Sequence, residues 1–147
     1  MKLTAVLPVA LLLCGCSASP FGSSAQLGQV PEGLQLTAQP STAAAGGVTT
    51  LTLHNGAAEP IGQNLCFAAL EQLRGGLWVP ALSVAKGCPE VFSPLAPGQQ
   101  ASAQSPLPLE LVSDDYRFVT RVHVPLGSVP PEQVRSGRFA VAAAVGE

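Results

Sequence analysis

Proline and glycine constrain this chain more than any other residue types. Fourteen prolines and fifteen glycines are spread along its 147 residues. Proline inside a helix removes a hydrogen bond and clashes with the preceding turn, so these residues cut the chain into short segments. What lies between the breaks alternates. In "LQLTA", Leu34, Leu36 and Ala38 alternate with Gln35 and Thr37, and in "VTTLTLH", Leu51 and Leu53 alternate with Thr50, Thr52 and His54. A period of two marks half-buried strands.

The later segments keep this rhythm. Residues 65–73 read as a strand entering an Arg74-Gly75-Gly76 turn, and "LWVPALSV" as the returning strand, with Pro80 placing it at an edge or bulge. Pro97-Gly98 turns the chain before a strand over residues 99–105. The most regular strand covers residues 116–124. Tyr116, Phe118, Thr120, Val122 and Val124 face one way, and Arg117, Val119, Arg121 and His123 the other. "PPEQVRSG" holds one helical turn at most, and "GRFAVAAA" closes the set with Phe139 and Val141 inward. Short strands at this spacing, with no long amphipathic helix, predict an all-β fold: an antiparallel β-sandwich of about seven strands over residues 34–147.

The N-terminus sets the expected compartment. Lys2 precedes the apolar residues 3–13, a run far short of the roughly 20 residues that span a bilayer. Leu13-Cys14-Gly15-Cys16 then resembles the bacterial lipobox, in which small residues precede a cysteine that is acylated on sulfur and becomes the new N-terminus. Cys14 stands where Ala, Ser or Thr is usual and is of similar size. Residues 1–15 are therefore read as a lipoprotein signal peptide, Cys16 as the lipid attachment site, and residues 16–33, rich in Ser, Gly and Pro, as a tether. Secretory cleavage after Ser17-Ala18-Ser19 would leave Pro20 beside the scissile bond, which is unfavourable. A reactive C-x-C pair would lack electropositive surroundings. The expected address is the bacterial cell envelope, outside the cytoplasm. Ser17 in place of an inner-membrane retention Asp favours the outer membrane.

Export settles the cysteine arithmetic. Cys14 leaves with the signal and Cys16 carries lipid, so Cys66 and Cys88 form an even pair in an oxidising compartment, where a disulfide is the default. A metal site built on them lacks partners, because only His54 and His123 are available and neither has ligand spacing to the cysteines.

Removal of residues 1–15 leaves 132, a size for one domain. Loss of Lys2 takes the formal charge from −2 to −3, which offers no footprint for nucleic acid. With 47% hydrophobic and 11% charged residues the chain can fill a core.

Taken in order, Asn55, Ile61, Asn64, Cys66, Gly76, Trp78, Cys88, Leu95, Pro97, Gly98, Tyr116 and Arg117 resemble the bacterial Ig-like domains of envelope proteins. Such domains show a strand ending in Asn, an Ile-x-x-Asn-x-Cys element, a Gly-x-Trp on the return strand, a second Cys, a Leu-x-Pro-Gly turn and a Tyr-Arg strand. The resemblance covers nearly all of residues 34–144 and implies an Ig-like sandwich. The residues also have local readings. Asn55-Gly56 suits a turn, and Asn64 suits a bond to its own local backbone. Tyr116 suits a tyrosine corner bonded to the chain between Leu111 and Asp115. Phe118 replaces the second core cysteine of antibody domains, and Cys66 and Cys88 lie too close in sequence for the usual bridge between sheets. The bridge is expected to clip the Trp78 strand, or its following loop, to the strand carrying Cys66.

Chemistry is sparse. The sequence lacks a phosphate-binding Gly loop, G-x-S-x-G and H-E-x-x-H. Asp114-Asp115 reads as a solvated turn, and His54 and His123 as strand residues at the surface or core margin. No catalytic residue, metal or cofactor is expected, and the processed chain would contain no methionine to ligate copper. Trp78 reads as a core-margin residue. Arg117, Arg121 and His123 share one face of a strand, which is either a solvated sheet surface or a patch that meets an acidic protein partner or lipid headgroups. The leading expectation is a membrane-anchored, non-enzymatic interaction or structural module with an envelope partner. The alternative is an Ig-like proteinase inhibitor acting through residues 74–77 or 89–97.

Overall fold

A computed structural model of the protein describes residues 32–83 and 87–144. The expected signal peptide, Cys16 and all but the last two residues of the expected tether lie outside these. The described chain is all-β. Its strands are β1 (Leu34–Gln39), β2 (Thr42–Ala44), β3 (Val48–Asn55), β4 (Ile61–Gln63), β5 (Ala69–Arg74), β6 (Leu77–Pro80), β7 (Ser93–Leu95), β8 (Gln100–Pro106), β9 (Asp114–His123), β10 (Glu132–Arg135) and β11 (Phe139–Ala142).

Two sheets divide them. The smaller runs β1-β3-β8, all antiparallel. In the larger, β9 is central and is paired along one side by β4 and β5 and along the other by β10 and β11. β7 extends this sheet beyond β4, β6 beyond β5, and β2 lies parallel to β11. The first run of the chain therefore serves both sheets, passing from β3 to β11 at Pro40-Ser41, where proline interrupts the ladder.

The eleven strands come from eight longer runs, against about seven expected. β4 and β5 are one run interrupted at residues 64–68. Leu65–Phe67 forms a 3₁₀ turn there, so the strand expected over residues 65–73 starts at Ala69. The cause is Asn64, whose side chain accepts from Cys66 N at 3.1 Å and caps the turn. β10 and β11 are also one run. Its register against β9 shifts by one residue at residues 136–138, where Ser136 N donates to Phe118 O and Ser136 Oγ accepts from Phe118 N. The helical turn expected in "PPEQVRSG" is thus a strand, because each residue of β10 finds a partner on β9 and Val134 is fully buried.

The core is filled by the alternation seen in the sequence. Leu51 and Leu53 from β3 face Tyr116, Phe118 and Val122 from β9, and all are buried. Phe118 stacks on Phe139 with centroids 5.5 Å apart. Tyr116 Oη donates to Val112 O at 3.1 Å, the corner expected from its place at the head of β9. Asn55 departs from expectation. It makes no two-residue turn and ends β3 fully buried, donating to Glu59 O and Leu95 O and accepting from Ala57 N. Its amide stitches the loop after β3 to the end of β7.

Candidate functional site

The outward face of β9 is the surface on which the expected residues converge. Arg117, Val119, Arg121 and His123 lie on it at alternate positions. Their surroundings differ.

Arg117 belongs to the sheet. Its Nε donates to Glu71 Oε2 at 2.7 Å across the β5–β9 pair, and its guanidinium lies over the Trp78 ring with Cζ 4.3 Å from the centroid. Both partners of the ion pair are about one-fifth exposed. Trp78 is therefore at a margin, as expected, but on the outside of the larger sheet beneath an arginine. Glu71, which the sequence reading did not single out, faces outward by the same period of two that placed Arg117.

His123 is also engaged. The Phe92 ring meets it edge-on, with centroids 4.2 Å apart, and its Nδ1 bonds Ser128 O. Phe92 stacks in turn on Phe67 at 6.4 Å. Gly62 on the neighbouring strand supplies the space. A Cβ there would come within 3.0 Å of Leu126 Cδ1, 3.4 Å of the His123 Cβ and 3.5 Å of the Phe92 Cβ. Phe67, Phe92, His123 and Leu126 thus form an apolar cluster at one end of β9, with Phe67 42% and Leu126 48% exposed. No periodicity announces it, because Phe67 sits in the 3₁₀ turn and Phe92 and Leu126 in loops.

Arg121 is left between these two groups. It is exposed and opposite the residue 64–68 insertion in the ladder, which includes Phe67. Arg74 donates to Gln72, Arg117 to Glu71 and Arg135 to Gln133, while Arg138 pairs with Asp115. Among the described residues Arg121 alone of the arginines has neither hydrogen bond nor ion pair.

The disulfide joins Cys66 to Cys88 with Cα atoms 5.6 Å apart. As expected it clips the loop after the Trp78 strand, but Cys66 sits in the 3₁₀ turn between β4 and β5 rather than on a strand. Asn64 Nδ2 donates to Pro89 O at 2.7 Å and Val91 O at 2.8 Å. One asparagine thereby caps the turn and holds the segment that leads to β7. The other candidate loop is closed differently: Gly75 and Gly76, with φ of 57° and 82°, make a two-residue turn between Arg74 and Leu77.

The Asp114-Asp115 pair begins β9. Asp114 accepts from Asp115 N at 2.8 Å and from Gln72 Nε2 at 2.9 Å, and these bonds, the backbone one foremost, hold its carboxyl below the usual carboxylate range. Burial, followed by the Asp114 charge, pushes the Tyr116 phenol up. Among the described residues no cluster of three or more His, Cys, Asp or Glu side chains has the arrangement of a metal site. Nor is any helix there long and apolar enough to cross a membrane.

Comparison with known protein families finds no match to this chain, and comparison with characterised proteins finds no similar sequence.

Proposed function

We propose that the protein is a membrane-anchored, non-enzymatic envelope lipoprotein whose Ig-like sandwich recognises a partner through the outer face of β9. The anchor rests on the sequence at Leu13 to Cys16. The two-sheet architecture and the Tyr116 corner support the Ig-like reading. Recognition rests on one observation, that Arg121 stands exposed and unpaired among the described residues beside the Phe67–Phe92–Leu126 cluster. A cation next to exposed aromatic surface suits an interface core. The apolar groups supply contact area, and the charge selects an acidic partner and speeds encounter. In a chain of negative net charge such a patch also orients the molecule.

The test uses Arg121→Glu and Phe92→Ala in the full chain. Capture of one and the same partner from solubilised envelopes should be lost in both variants and should weaken with salt for the wild type, with the melting temperature of Arg121→Glu unchanged. Undiminished capture by Arg121→Glu would refute the assigned surface. The anchor is tested separately by intact mass. Wild-type protein should begin at an acylated Cys16, and Cys16→Ser should stay unprocessed.

Proteinase inhibition remains a second reading at one place only. Val91 is 67% exposed on a segment fixed by Cys88 and by the Asn64 amide. A constrained, projecting segment is what a loop inhibitor presents, and a panel of proteases assayed with Val91→Asp as control decides it.

A further inference from the structure

The end of the sandwich from which the expected tether leaves is built by loops bonded to one another. Gly56 N donates to Gly33 O at 2.7 Å, Gly98 N to Asn55 O at 2.6 Å and Leu126 N to Pro60 O at 3.0 Å, while the Asn55 amide donates to Glu59 O. Residues 32–33, 56–60, 96–99 and 125–131 therefore share one end. Val48, paired with Pro106 at the other end of β3, lies opposite. Glu32 and Glu59 are the only ionisable side chains of these four segments, and none is basic. Glu132, at the start of β10, adds a third acid at their rim.

Val129 is displayed at this end. It is 85% exposed, more than any other large apolar side chain among the described residues. Its loop crosses the end of β9 from β10 to β4 and is held at several points. Ser128 N donates to Pro125 O at 3.0 Å, with Gly127 at a φ of 85° between them, and Ser128 O bonds His123 Nδ1. Leu126 turns back onto Gly62 and the aromatic cluster, whereas Val129 follows the bonded Ser128 and is fixed behind by Pro130-Pro131. An apolar side chain on a held loop meets another phase without the ordering cost that a loose loop carries.

We propose that this end is the lipid-contacting foot of the domain: Val129 enters the headgroup–acyl boundary of the membrane that holds the anchor, and the sandwich stands on it. The proposal rests on the anchor reading at Cys16. The place where the chain leaves the domain selects lipid as the occupant, because Gly33 is bonded into the same set of loops and residues 17–33 reach at most about 60 Å. One valine is too small a contact to hold a free protein on a bilayer. The anchor makes this second contact intramolecular, so weak affinity suffices to fix orientation. Because β9 runs from the far end of the sandwich to this one, its outer face with Arg121 then stands at the side of the domain, clear of the lipid. With acids and no base on the foot, zwitterionic headgroups are favoured over anionic ones.

The test reconstitutes the full acylated chain in phosphatidylcholine vesicles carrying lipids brominated high on the acyl chain. Tryptophan is placed at one end or the other, as Val129→Trp or Val48→Trp, both at exposed positions. One residue type at both ends cancels tryptophan's own preference for the interface. After subtraction of the Trp78 signal, bromine quenching should be at least about threefold stronger at residue 129 than at residue 48. It should fall as phosphatidylglycerol replaces phosphatidylcholine. Should Val129→Trp melt early, Ala58→Trp on the neighbouring exposed loop takes its place. Equal quenching at the two ends, with protein of acylated mass that floats with the vesicles, would overturn the foot and leave the anchor standing. Unacylated protein that does not float would remove the anchor and the proposal with it. A dimer in detergent that Val129→Asp dissolves would make a second copy the occupant, and would overturn the proposal too.

Discussion

Arg117 lies over the Trp78 ring at 4.3 Å while its Nε donates to Glu71 at 2.7 Å. The guanidinium is held from two sides by adjacent strands, and the single tryptophan of the chain reports on it. Arg117→Ala should destabilise by about 1 kcal/mol, the sum of a partly screened ion pair and a cation–π contact, and should shift the Trp78 emission. Arg121→Ala should leave both unchanged. Equal stability losses for the two arginines would contradict the division of this face into a structural and a free cation.

Tyr116 is the only tyrosine, so the ultraviolet absorbance change on phenol ionisation is its own. Its folded pKa is raised above the ordinary 10.0 by burial and by Asp114. The folded state therefore holds the phenolic proton more tightly than the unfolded chain does. The stability this brings is complete below about pH 10 and is lost as pH rises through the folded value. Titration in buffer should show a midpoint above 10, falling to the ordinary value in concentrated urea. Identical midpoints would contradict the buried corner.

Asn55→Ala should cost about 2–3 kcal/mol in urea denaturation. Three bonds to main-chain groups are lost at a fully buried site. A loss below about 0.5 kcal/mol would show that the loop after β3 is held by other means.

The Cys66–Cys88 bridge closes a loop with a sequence separation of 22 residues. Replacing both cysteines by alanine should cost about 3 kcal/mol on the chain-entropy account. Two free thiols in protein isolated without reductant would refute a structural bridge.

The Thr120 hydroxyl is buried with no hydrogen-bond partner among the described residues. Thr120→Val keeps the shape and the β-branched fit to the strand while removing an unpaired polar group. It should raise stability by about 1 kcal/mol. Destabilisation of that size would mean the hydroxyl is bonded in solution.

The parts of this molecule legible in the sequence are those with a period. Residues along β3, β9 and β11 alternate, and their inward members Leu51, Phe118 and Phe139 form the core. The corner at Tyr116 and the local bond of Asn64 were legible because their chemistry is local. What interrupts a strand was not. The 3₁₀ turn at Leu65–Phe67 occupies residues that alternate well enough for β, and only the cap geometry of Asn64 breaks them. β10 was hidden because its pairing comes from β9, distant in sequence. The candidate site was half legible. β9 placed Arg117, Arg121 and His123 on one face, but the partners that separate them, Glu71, Trp78 and Phe92, arrive from other strands and loops.

The opening run of the domain divides its pairing, β1 against β3 and β2 parallel to β11. Tension drawn between the N-terminal and C-terminal sides of the sandwich would pull β2 and β11 past each other along their length. The bonds there, including Ala140 N to Ser41 O and Ala45 N to Ala142 O, would be loaded together in shear rather than peeled in sequence. The seam that joins the two sheets is thus also the mechanical clamp of the domain.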